Sequence, residues 1–464
     1  MEKWLGAALD YIPRWIEFQL RHTDQPGCVL AASVGGEVVL EQAFGVADLG
    51  TGERLTPRHR FRVASHSKAF TAAAVMKLRE QGRLKLDDRA GQYVDGLHPD
   101  IASATLAQLL SHSAGIVRDG ADAGQWQDRR PFLNEAELRA ALAEPPVIPA
   151  NTRFKYSNHA FGLAGLVIEA ITAEPYRDWI RREIVAPAGL AETAPDMPIA
   201  AGIPMARGHS AKLPLGRRVV VPGDNPTDAL APATGFVGTA ADMARFFGQL
   251  DPAAARSLLS AESRREMTRR HWRDAYSAAE RHYGLGIMGG RTAECDWFGH
   301  GGGFQGFITQ TAVVPRHGLA LSILTNTVER LAPLWMEGAL QIVAAFAARG
   351  APSEAVAGWG GRWWNVWNAF DLVPAGDRVL ATHPAQLNPF ADAGEIEVTG
   401  ADRGHIALAT GLGNHGESVR RVRGPGGDIA EVWLGGTRLV EESKMAAELT
   451  ARYAPPQPGT GGGK

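Results

Sequence analysis

The sequence predicts a mixed α/β architecture of the α+β kind, in which helices flank an antiparallel sheet, a helical subdomain lies opposite it, and a separate antiparallel β domain follows. Two observations predict it. Strand-like segments lie near both ends of residues 1–350, and helical patterns broken by Gly and Pro fill the stretch between them. From about residue 353, short apolar runs recur between Gly-rich or Asp-containing turns, which is typical of an antiparallel sheet or small barrel.

The length of 464 residues exceeds what one hydrophobic core usually organises, so we expect two domains. The first spans residues 1–350 and the second residues 353–454. The tail, residues 455–464, is rich in Pro and Gly and is expected to be disordered. Hydrophobic residues make up 45% and charged residues 21% of the chain, so a packed core is feasible throughout the rest.

The first 27 residues predict an amphipathic helix with a break at Pro13. They lack the apolar stretch and small-residue cleavage site of a signal peptide, and no later segment has the pattern of a membrane span of ordinary length. We therefore expect a cytoplasmic protein with no membrane partner. Next, residues 28–34 and 38–44 predict a hairpin around Gly35-Gly36.

The later elements of the larger domain are predicted to return to the sheet that this hairpin begins. They are strands at residues 284–287, 306–314 and 318–326 and a helix from about 331 to 349. Five apolar runs predict strands of the smaller domain, namely residues 378–381, 395–398, 405–409, 418–422 and 429–434. We expect five tryptophans to fill its core, namely Trp359, Trp363, Trp364, Trp367 and Trp433.

The charge balance excludes several classes of partner. Lys plus Arg number 48 against 50 Asp plus Glu, with no dense basic stripe, so neither nucleic acid nor an anionic membrane is indicated. The only cysteines, Cys28 and Cys295, are too few and too far apart for a disulfide framework or a zinc site. We expect a small-molecule or short peptide substrate and no metal or organic cofactor, and the sequence leaves a homo-oligomer open.

Ser65 and Lys68 form a Ser-x-x-Lys step beside a helix predicted from Ser67 to Gln81, so hydroxyl and amine would lie one turn apart on one face. A serine hydroxyl is a weak nucleophile unless a base takes its proton. A lysine whose pKa is lowered by burial can contribute to that step. The motif alone equally fits a helix cap followed by a solvated lysine, so it needs supporting residues.

Two further segments supply such residues. Tyr156 and Asn158 lie on a short loop before a helix predicted over residues 160–172. A phenol held near two cations could exist partly as phenolate and carry the proton from Ser65 to the leaving group. His300, followed by Gly301, Gly302 and Gly303, precedes a predicted strand. The small residues allow a substrate backbone to lie against the sheet edge, and His300 is expected to hydrogen-bond Tyr156.

The three segments, in this order, resemble the motif set of serine β-lactamases and penicillin-binding proteins. The chain is similar to the class C β-lactamase, D-aminopeptidase and esterase branch, family S12. Further segments that carry the resemblance are residues 108–115, 232–242, 283–286 and 324–326. The segment from Trp359 resembles the lipocalin-like β domain that follows some members.

The resemblance implies an acyl-enzyme mechanism on a β-lactamase-like fold. Ser65 would be the nucleophile, Lys68 and Tyr156 the general-base pair, and Asn158 a contact of the lysine and the substrate. The backbone N–H groups of Ser65 and Gly303 would form the oxyanion hole. His300 stands where many members have the lysine of Lys-Thr-Gly.

That replacement removes a group suited to a β-lactam carboxylate and is similar to the pattern of D-aminopeptidases and esterases. We therefore expect a serine hydrolase acting on small esters or amides, including D-amino acid substrates, with weak or absent β-lactamase activity. The alternatives are a β-lactamase, an acyl transferase or peptide cyclase, and a non-catalytic penicillin-binding-type protein.

Two other patterns are weaker. Residues 111–115 approximate the nucleophile elbow of α/β-hydrolases, but they lack its first glycine, and the Gly-rich oxyanion-like segment follows the serine, whereas that fold needs it before. Residues 301–306 satisfy Gly-x-Gly-x-x-Gly, but a β-rich run follows where a dinucleotide site needs a helix.

Overall fold

A computed structural model describes residues 1–275, 280–410 and 413–453. The predicted tail, residues 455–464, lies outside this range. The chain forms two compact units: the larger is Thr23–Met336, and the smaller combines Met1–His22 with Glu337–Lys464. This division differs from the sequence-based boundaries because helix α1 (Lys3–His22) packs within the smaller unit, where the Tyr11 hydroxyl donates a hydrogen bond to Asp371 at 3.0 Å.

The remaining helices are α2 (Ser67–Glu80), α3 (Pro99–Ala102), α4 (Leu106–Leu110), α5 (Glu135–Leu142), α6 (Asn158–Thr172), α7 (Tyr176–Ile180), α8 (Ala231–Thr234), α9 (Ala240–Gln249), α10 (Ala261–Thr268), α11 (Leu331–Arg349), α12 (Glu354–Ala357) and α13 (Glu442–Tyr453). The strands of the larger unit are β1 (Gly27–Val34), β2 (Glu37–Asp48), β3 (Glu53–Arg54), β4 (Phe61–Arg62), β5 (Gly208–His209), β6 (Val220–Val221), β7 (Val237–Gly238), β8 (Trp272–Arg273), β9 (Arg281–Tyr283), β10 (Met288–Thr292), β11 (Cys295–Phe304), β12 (Phe307–Val314) and β13 (Leu319–Thr325).

The larger unit is built on a nine-stranded antiparallel sheet with the order β3-β2-β1-β13-β12-β11-β10-β9-β8. As predicted, the amino-terminal hairpin pairs with the last strand of the unit, with Cys28 opposite Thr325. Since every strand pair of this sheet is antiparallel, the fold also excludes an α/β-hydrolase. The α+β architecture predicted from the sequence is confirmed.

Two local predictions are wrong. Residues 284–287 form a turn between β9 and β10. Gly286 has a φ of +66°, and a Cβ there would lie 2.6 Å from the Lys68 carbonyl oxygen, so this glycine serves close approach to α2. Helix α1 continues through Pro13 without a break. Burial of the apolar side chains around Pro13, including Ile12 and Trp15, outweighs the hydrogen bond that proline cannot donate.

The strands of the smaller unit are β14 (Gly361–Trp364), β15 (Ala369–Ala375), β16 (Arg378–Thr382), β17 (Gly394–Gly400), β18 (Arg403–Leu408), β19 (Ser418–Arg423), β20 (Ile429–Leu434) and β21 (Thr437–Leu439). They pair consecutively into an eight-stranded antiparallel sheet. Trp364 and Val440 exchange two backbone hydrogen bonds, of 2.7 and 2.9 Å, so the first strand meets the end of the last and the sheet nearly closes into a barrel.

The five strands predicted for this unit are confirmed as β16 to β20. Its core contains Trp359 and Trp363, as expected. Trp367 is 86% exposed, and Trp364 and Trp433 also lie outside this core, so the assignment of these three to it was wrong. Trp367 lies in the short turn between β14 and β15, where its backbone N–H donates to Asn365 Oδ1 and the side chain faces solvent.

Helix α11 confirms the helix predicted over residues 331–349. By length and composition it could cross a membrane, with a mean hydropathy of 1.4 over its most apolar window. From the sequence we expected no segment of this kind. Half of the window is buried inside the fold, as is typical of a core helix.

Helix α2 is anchored by a stack of aromatic rings. Phe70 lies between Phe236 and Phe246, with ring centroids 4.2 and 3.8 Å away. All three side chains are fully buried. Because Ser65 immediately precedes this helix, the stack also holds the segment that carries the serine.

We predict that Phe70→Ala lowers the free energy of unfolding of the larger unit by about 3–5 kcal/mol, because it empties the centre of this stack. Leu213→Ala is the control, since Leu213 is 94% exposed and its removal should change stability by less than about 0.5 kcal/mol. Urea unfolding followed by circular dichroism measures both. Equal midpoints for the two variants would contradict the prediction.

Candidate active site

Ser65 lies in a tight turn, Ala64–His66, directly before α2. Ala64 has a φ of +49°, a left-handed backbone that is strained for a residue with a Cβ. The hydroxyl of Ser67 secures the turn, donating to the Ala64 carbonyl at 2.6 Å and accepting from the Phe236 N–H at 3.0 Å. Ser65 is partly exposed while its neighbours are buried, so its hydroxyl is presented to solvent from a fixed backbone.

His66 joins this turn to the sheet. Its Nδ1 donates to the Val63 carbonyl and its Nε2 accepts from the Thr311 hydroxyl, both at 2.9 Å. Burial lowers the pKa of His66 to about 4, so the ring is neutral. His66, His159 and His209 are fully buried. No sequence motif indicates the role of His66, which depends on a strand more than 200 residues away.

Lys68 is fully buried, and its Nζ lies among three oxygen atoms. These are Asn158 Oδ1 at 2.7 Å, the Ala233 carbonyl at 2.8 Å and Ser65 Oγ at 3.2 Å. Burial lowers the pKa of Lys68 well below its ordinary value, and Asp119 opposes that shift. In the neutral amine, two N–H groups donate to the two carbonyl oxygens, which leaves the nitrogen lone pair facing the serine hydroxyl.

Tyr156 Oη donates a hydrogen bond to Ser65 Oγ at 2.9 Å. Burial raises the pKa of Tyr156, and the contacts with Ser65 and Arg118 only partly offset this. The sequence-based expectation of a partial phenolate is therefore wrong for the ligand-free site, because loss of solvation outweighs the nearby cations. Ser65 Oγ thus lies between a neutral phenol and a buried amine.

Asn158 and Asp119 extend the contacts of Lys68. Asn158 begins helix α6, which Ser157 caps by accepting the Ala160 N–H at 2.9 Å. The Nδ2 of Asn158 donates to Asp119 Oδ1 at 2.6 Å, which turns its Oδ1 toward Lys68. Asp119 is 8% exposed. The sequence missed it because it lies in the loop of residues 118–130, which showed no recognisable pattern.

Gly302 brings strand β11 against the residues that precede Ser65. A Cβ at Gly302 would lie 2.2 Å from the Val63 carbonyl oxygen and 2.4 Å from Thr309 Oγ1. Beyond it, Phe304 and Phe307 are paired across a two-residue turn, and Gly303 faces Ile308. In a hairpin of this register the N–H of Gly303 points away from β12. Gly301 and Gly303 therefore leave N–H groups on the free side of β11.

The expected bond between His300 and Tyr156 is absent from the described site, and this prediction was wrong. His300 Nδ1 donates to the Gly301 carbonyl at 2.6 Å, and Nε2 accepts from the Tyr283 hydroxyl at 2.8 Å. Both nitrogens are thereby used. Tyr283 instead connects the two residues by packing, since its ring lies perpendicular to that of Tyr156 at 6.4 Å. Burial lowers the pKa of His300 well below its ordinary value, so the ring is neutral.

His112 also packs against Tyr156, with ring centroids 4.1 Å apart. Its Nδ1 accepts the N–H of Ser157 at 3.1 Å, which helps to fix the loop that carries Tyr156. Burial lowers the pKa of His112 well below its ordinary value. His112 thus forms one wall of the tyrosine pocket.

Together these residues form a nucleophile with a base and a proton donor. In the neutral state a chain of hydrogen bonds runs from the Tyr156 hydroxyl to Ser65 Oγ and from the Ser65 hydroxyl to Lys68 Nζ. The site residues identified from the sequence thus lie together, but His300 does not form the expected hydrogen bond with Tyr156.

Comparison with known proteins finds a family match and several relatives. A family model described as Beta-lactamase matches residues 13–341. Penicillin-binding protein 4 of Amycolatopsis lactamdurans is 30% identical over 322 residues, which cover 65% of this chain and 81% of that protein. Protein flp of Staphylococcus aureus strain N315 is 27% identical over 187 residues, or 39% of this chain. The chain spans only 37% of the length of Protein flp.

Several solved structures share the fold. SurE is 27% identical with a TM-score of 0.62, and the match covers 94% of this chain and 100% of SurE. A D-stereospecific amidohydrolase from Streptomyces sp. is 25% identical with a TM-score of 0.59, and the match covers 72% of this chain and 98% of that protein. The octameric penicillin-binding protein homologue from Pyrococcus abyssi is 20% identical with a TM-score of 0.65, and the match covers 93% of this chain and 99% of that protein.

We predict that Gly302→Ala destabilises the protein by about 1–3 kcal/mol or more, since its methyl group meets backbone that cannot move without displacing the serine turn. Gly303→Ala is the matched control, because a Cβ there makes ordinary contact with Ile308 at 3.5 Å. Thermal unfolding measures both. A Gly303→Ala variant as unstable as Gly302→Ala would show that close approach is not the cause.

We predict that Asp119→Asn shifts the pH dependence of Ser65 acylation to lower pH. The Asp119 charge raises the pKa of Lys68, so its removal lowers that pKa, and the amine is neutral from a lower pH upward. The asparagine still offers an oxygen to Asn158. The rate of labelling by a fluorophosphonate against pH is the measurement. Asp122→Asn, which changes an exposed carboxylate of the same loop, should leave the profile unchanged; a shift to higher pH in Asp119→Asn would contradict the assignment.

Proposed function

The chain belongs to the beta-lactamase family, and from that premise we propose that it is a serine hydrolase that cleaves small esters or amides through an acyl-enzyme on Ser65. The observation that carries the proposal is the position of Ser65 Oγ, 2.9 Å from Tyr156 Oη and 3.2 Å from Lys68 Nζ. A hydroxyl held between a phenol and a desolvated amine has a partner for each proton transfer of acylation.

In the proposed acylation step, Lys68 takes the proton of Ser65 as Oγ bonds to the substrate carbonyl carbon. Burial favours the neutral amine, and the carbonyl oxygens of Asn158 and Ala233 fix its orientation. The negative charge that develops on the carbonyl oxygen is met by the N–H groups of Ser65 and Gly303. Each such donor contributes about 3 kcal/mol in well-studied enzymes.

In the step that expels the leaving group, Tyr156 gives its proton to the departing oxygen or nitrogen. Lys68, now an ammonium, restores the proton of Tyr156. Its Nζ lies 4.8 Å from the centre of the Tyr156 ring, so the two groups are neighbours in the site. Water then attacks the acyl-enzyme with the same groups acting in reverse, which returns Ser65 and completes turnover.

For the substrate we propose an amide or ester whose acyl part includes D-amino acids. The support is the likeness to a D-stereospecific amidohydrolase and to SurE, which has also been solved with D-Leu. His300 supports weak or absent β-lactamase activity, because a neutral ring bonded to Tyr283 cannot pair with a β-lactam carboxylate as a lysine would.

We predict that wild-type protein turns over one or more of three chromogenic substrate classes, and that Ser65→Ala abolishes this. The classes are short-chain p-nitrophenyl esters, D-amino acid p-nitroanilides with their L-enantiomers, and a cephalosporin. Lys68→Ala and Tyr156→Phe should each lower kcat by about 100- to 10,000-fold, the usual contribution of a positioned acid or base. Ser113→Ala is the control, since Ser113 is the nucleophile that an α/β-hydrolase would use, and it should retain full activity.

Fluorophosphonate labelling separates the alternatives. Turnover of D-anilides would establish an amidase, and ester turnover alone an esterase. Labelling of Ser65 without turnover of any substrate would favour an acyl transferase or peptide cyclase. If wild type is neither labelled nor active, the proposal fails in favour of a non-catalytic protein.

A further inference from the structure

The sheet of the smaller unit and its loops line an open cavity of about 770 Å³. Side chains alternate between the two faces of a strand, and the inward positions change in character along the barrel. At one end they fill the interior with apolar groups such as Trp363, Leu372 and Val432. Toward the other end Phe370, Ile406 and Leu434 line an open space. One end is therefore a packed core and the other a pocket within the size range of small-molecule sites.

The mouth of the cavity is acidic. Asp392, Glu395 and Glu417 line it, and among its described lining residues there is no lysine or arginine. Glu395 is neutralised by Arg349, at 2.5 Å. Asp392 and Glu417 have no ion-pair partner within the described part of the chain. The pocket therefore joins apolar walls to two unneutralised carboxylates.

An imidazole also lines the cavity. His383 adds no positive charge, because burial lowers its pKa, and its ring packs on Phe370 at 4.6 Å.

We propose that this cavity is a binding site, separate from Ser65, for an apolar small molecule that carries an ammonium group. The apolar part packs against Phe370, Ile406 and Leu434. The ammonium group lies at the mouth, where Asp392 and Glu417 supply charge. Anions of the same shape are excluded by these carboxylates.

Isothermal titration calorimetry of the full-length protein with 2-phenylethylamine tests the site at pH 7.5, roughly three units below the usual pKa of an alkyl ammonium. Phenylacetate and 2-phenylethanol keep the ring but replace the cation by an anion or a neutral hydroxyl. We expect one saturable site for the amine and at least tenfold weaker binding of the other two. Absence of saturable amine binding, or equal binding of phenylacetate, would overturn the proposal.

The double variant Asp392→Asn, Glu417→Gln locates the binding. Both positions are exposed, so the exchange should preserve the fold, which thermal unfolding checks. It should weaken amine binding at least tenfold and leave Ser65 labelling unchanged. Glu397→Gln is the matched control, because Glu397 follows Ile396 on β17, pairs with Arg378 and does not line the cavity. Amine binding that survives the double variant, or falls equally in Glu397→Gln, would overturn the proposal.

Discussion

The active site depends on the burial of the Lys68 amine. A fully desolvated ammonium without a carboxylate in direct contact is unfavourable, so the surroundings favour the neutral base that a serine nucleophile needs. The oxygen acceptors around Nζ and the nearby charge of Asp119 limit the cost of burying the group. Asp119 also holds Asn158 in the required orientation. The same few contacts thus set the protonation state of Lys68 and provide its hydrogen-bond acceptors.

The aromatic and imidazole groups around Tyr156 extend the same principle. His112, Tyr283 and His300 are buried and neutral, and they surround the phenol with rings that carry no net charge. In such an environment each remaining charge acts over a longer distance than it would in water. The electrostatics near Ser65 are therefore set by Lys68, Asp119 and Arg118, which are few enough for single substitutions to be interpretable.

Local sequence pattern accounted for most of the fold, because hydrophobic periodicity and glycine turns specify strands such as β1 and helices such as α2 before any tertiary contact forms. It failed where a distant backbone decides the conformation, as at Gly286, which turns against the Lys68 carbonyl. In the site, Ser65, Lys68, Tyr156 and Asn158 followed from motif order. The protonation of Tyr156, the partner of His300 and the contribution of Asp119 did not, because desolvation and hydrogen-bond choice depend on residues distant in sequence.

The assignment of α1 to the smaller unit has a consequence for biosynthesis. The helix is translated before the larger unit, yet its partners Asp371 and Gln386 follow the entire Thr23–Met336 segment. Translation proceeds at about 5–20 residues per second. The apolar side chains of α1, Trp15 and Ile16 among them, therefore remain without their partner strands for tens of seconds. The larger unit is contiguous and can fold in that interval. The nascent chain therefore passes through a stage in which a finished globule carries an unpartnered amphipathic helix, a natural target for chaperones.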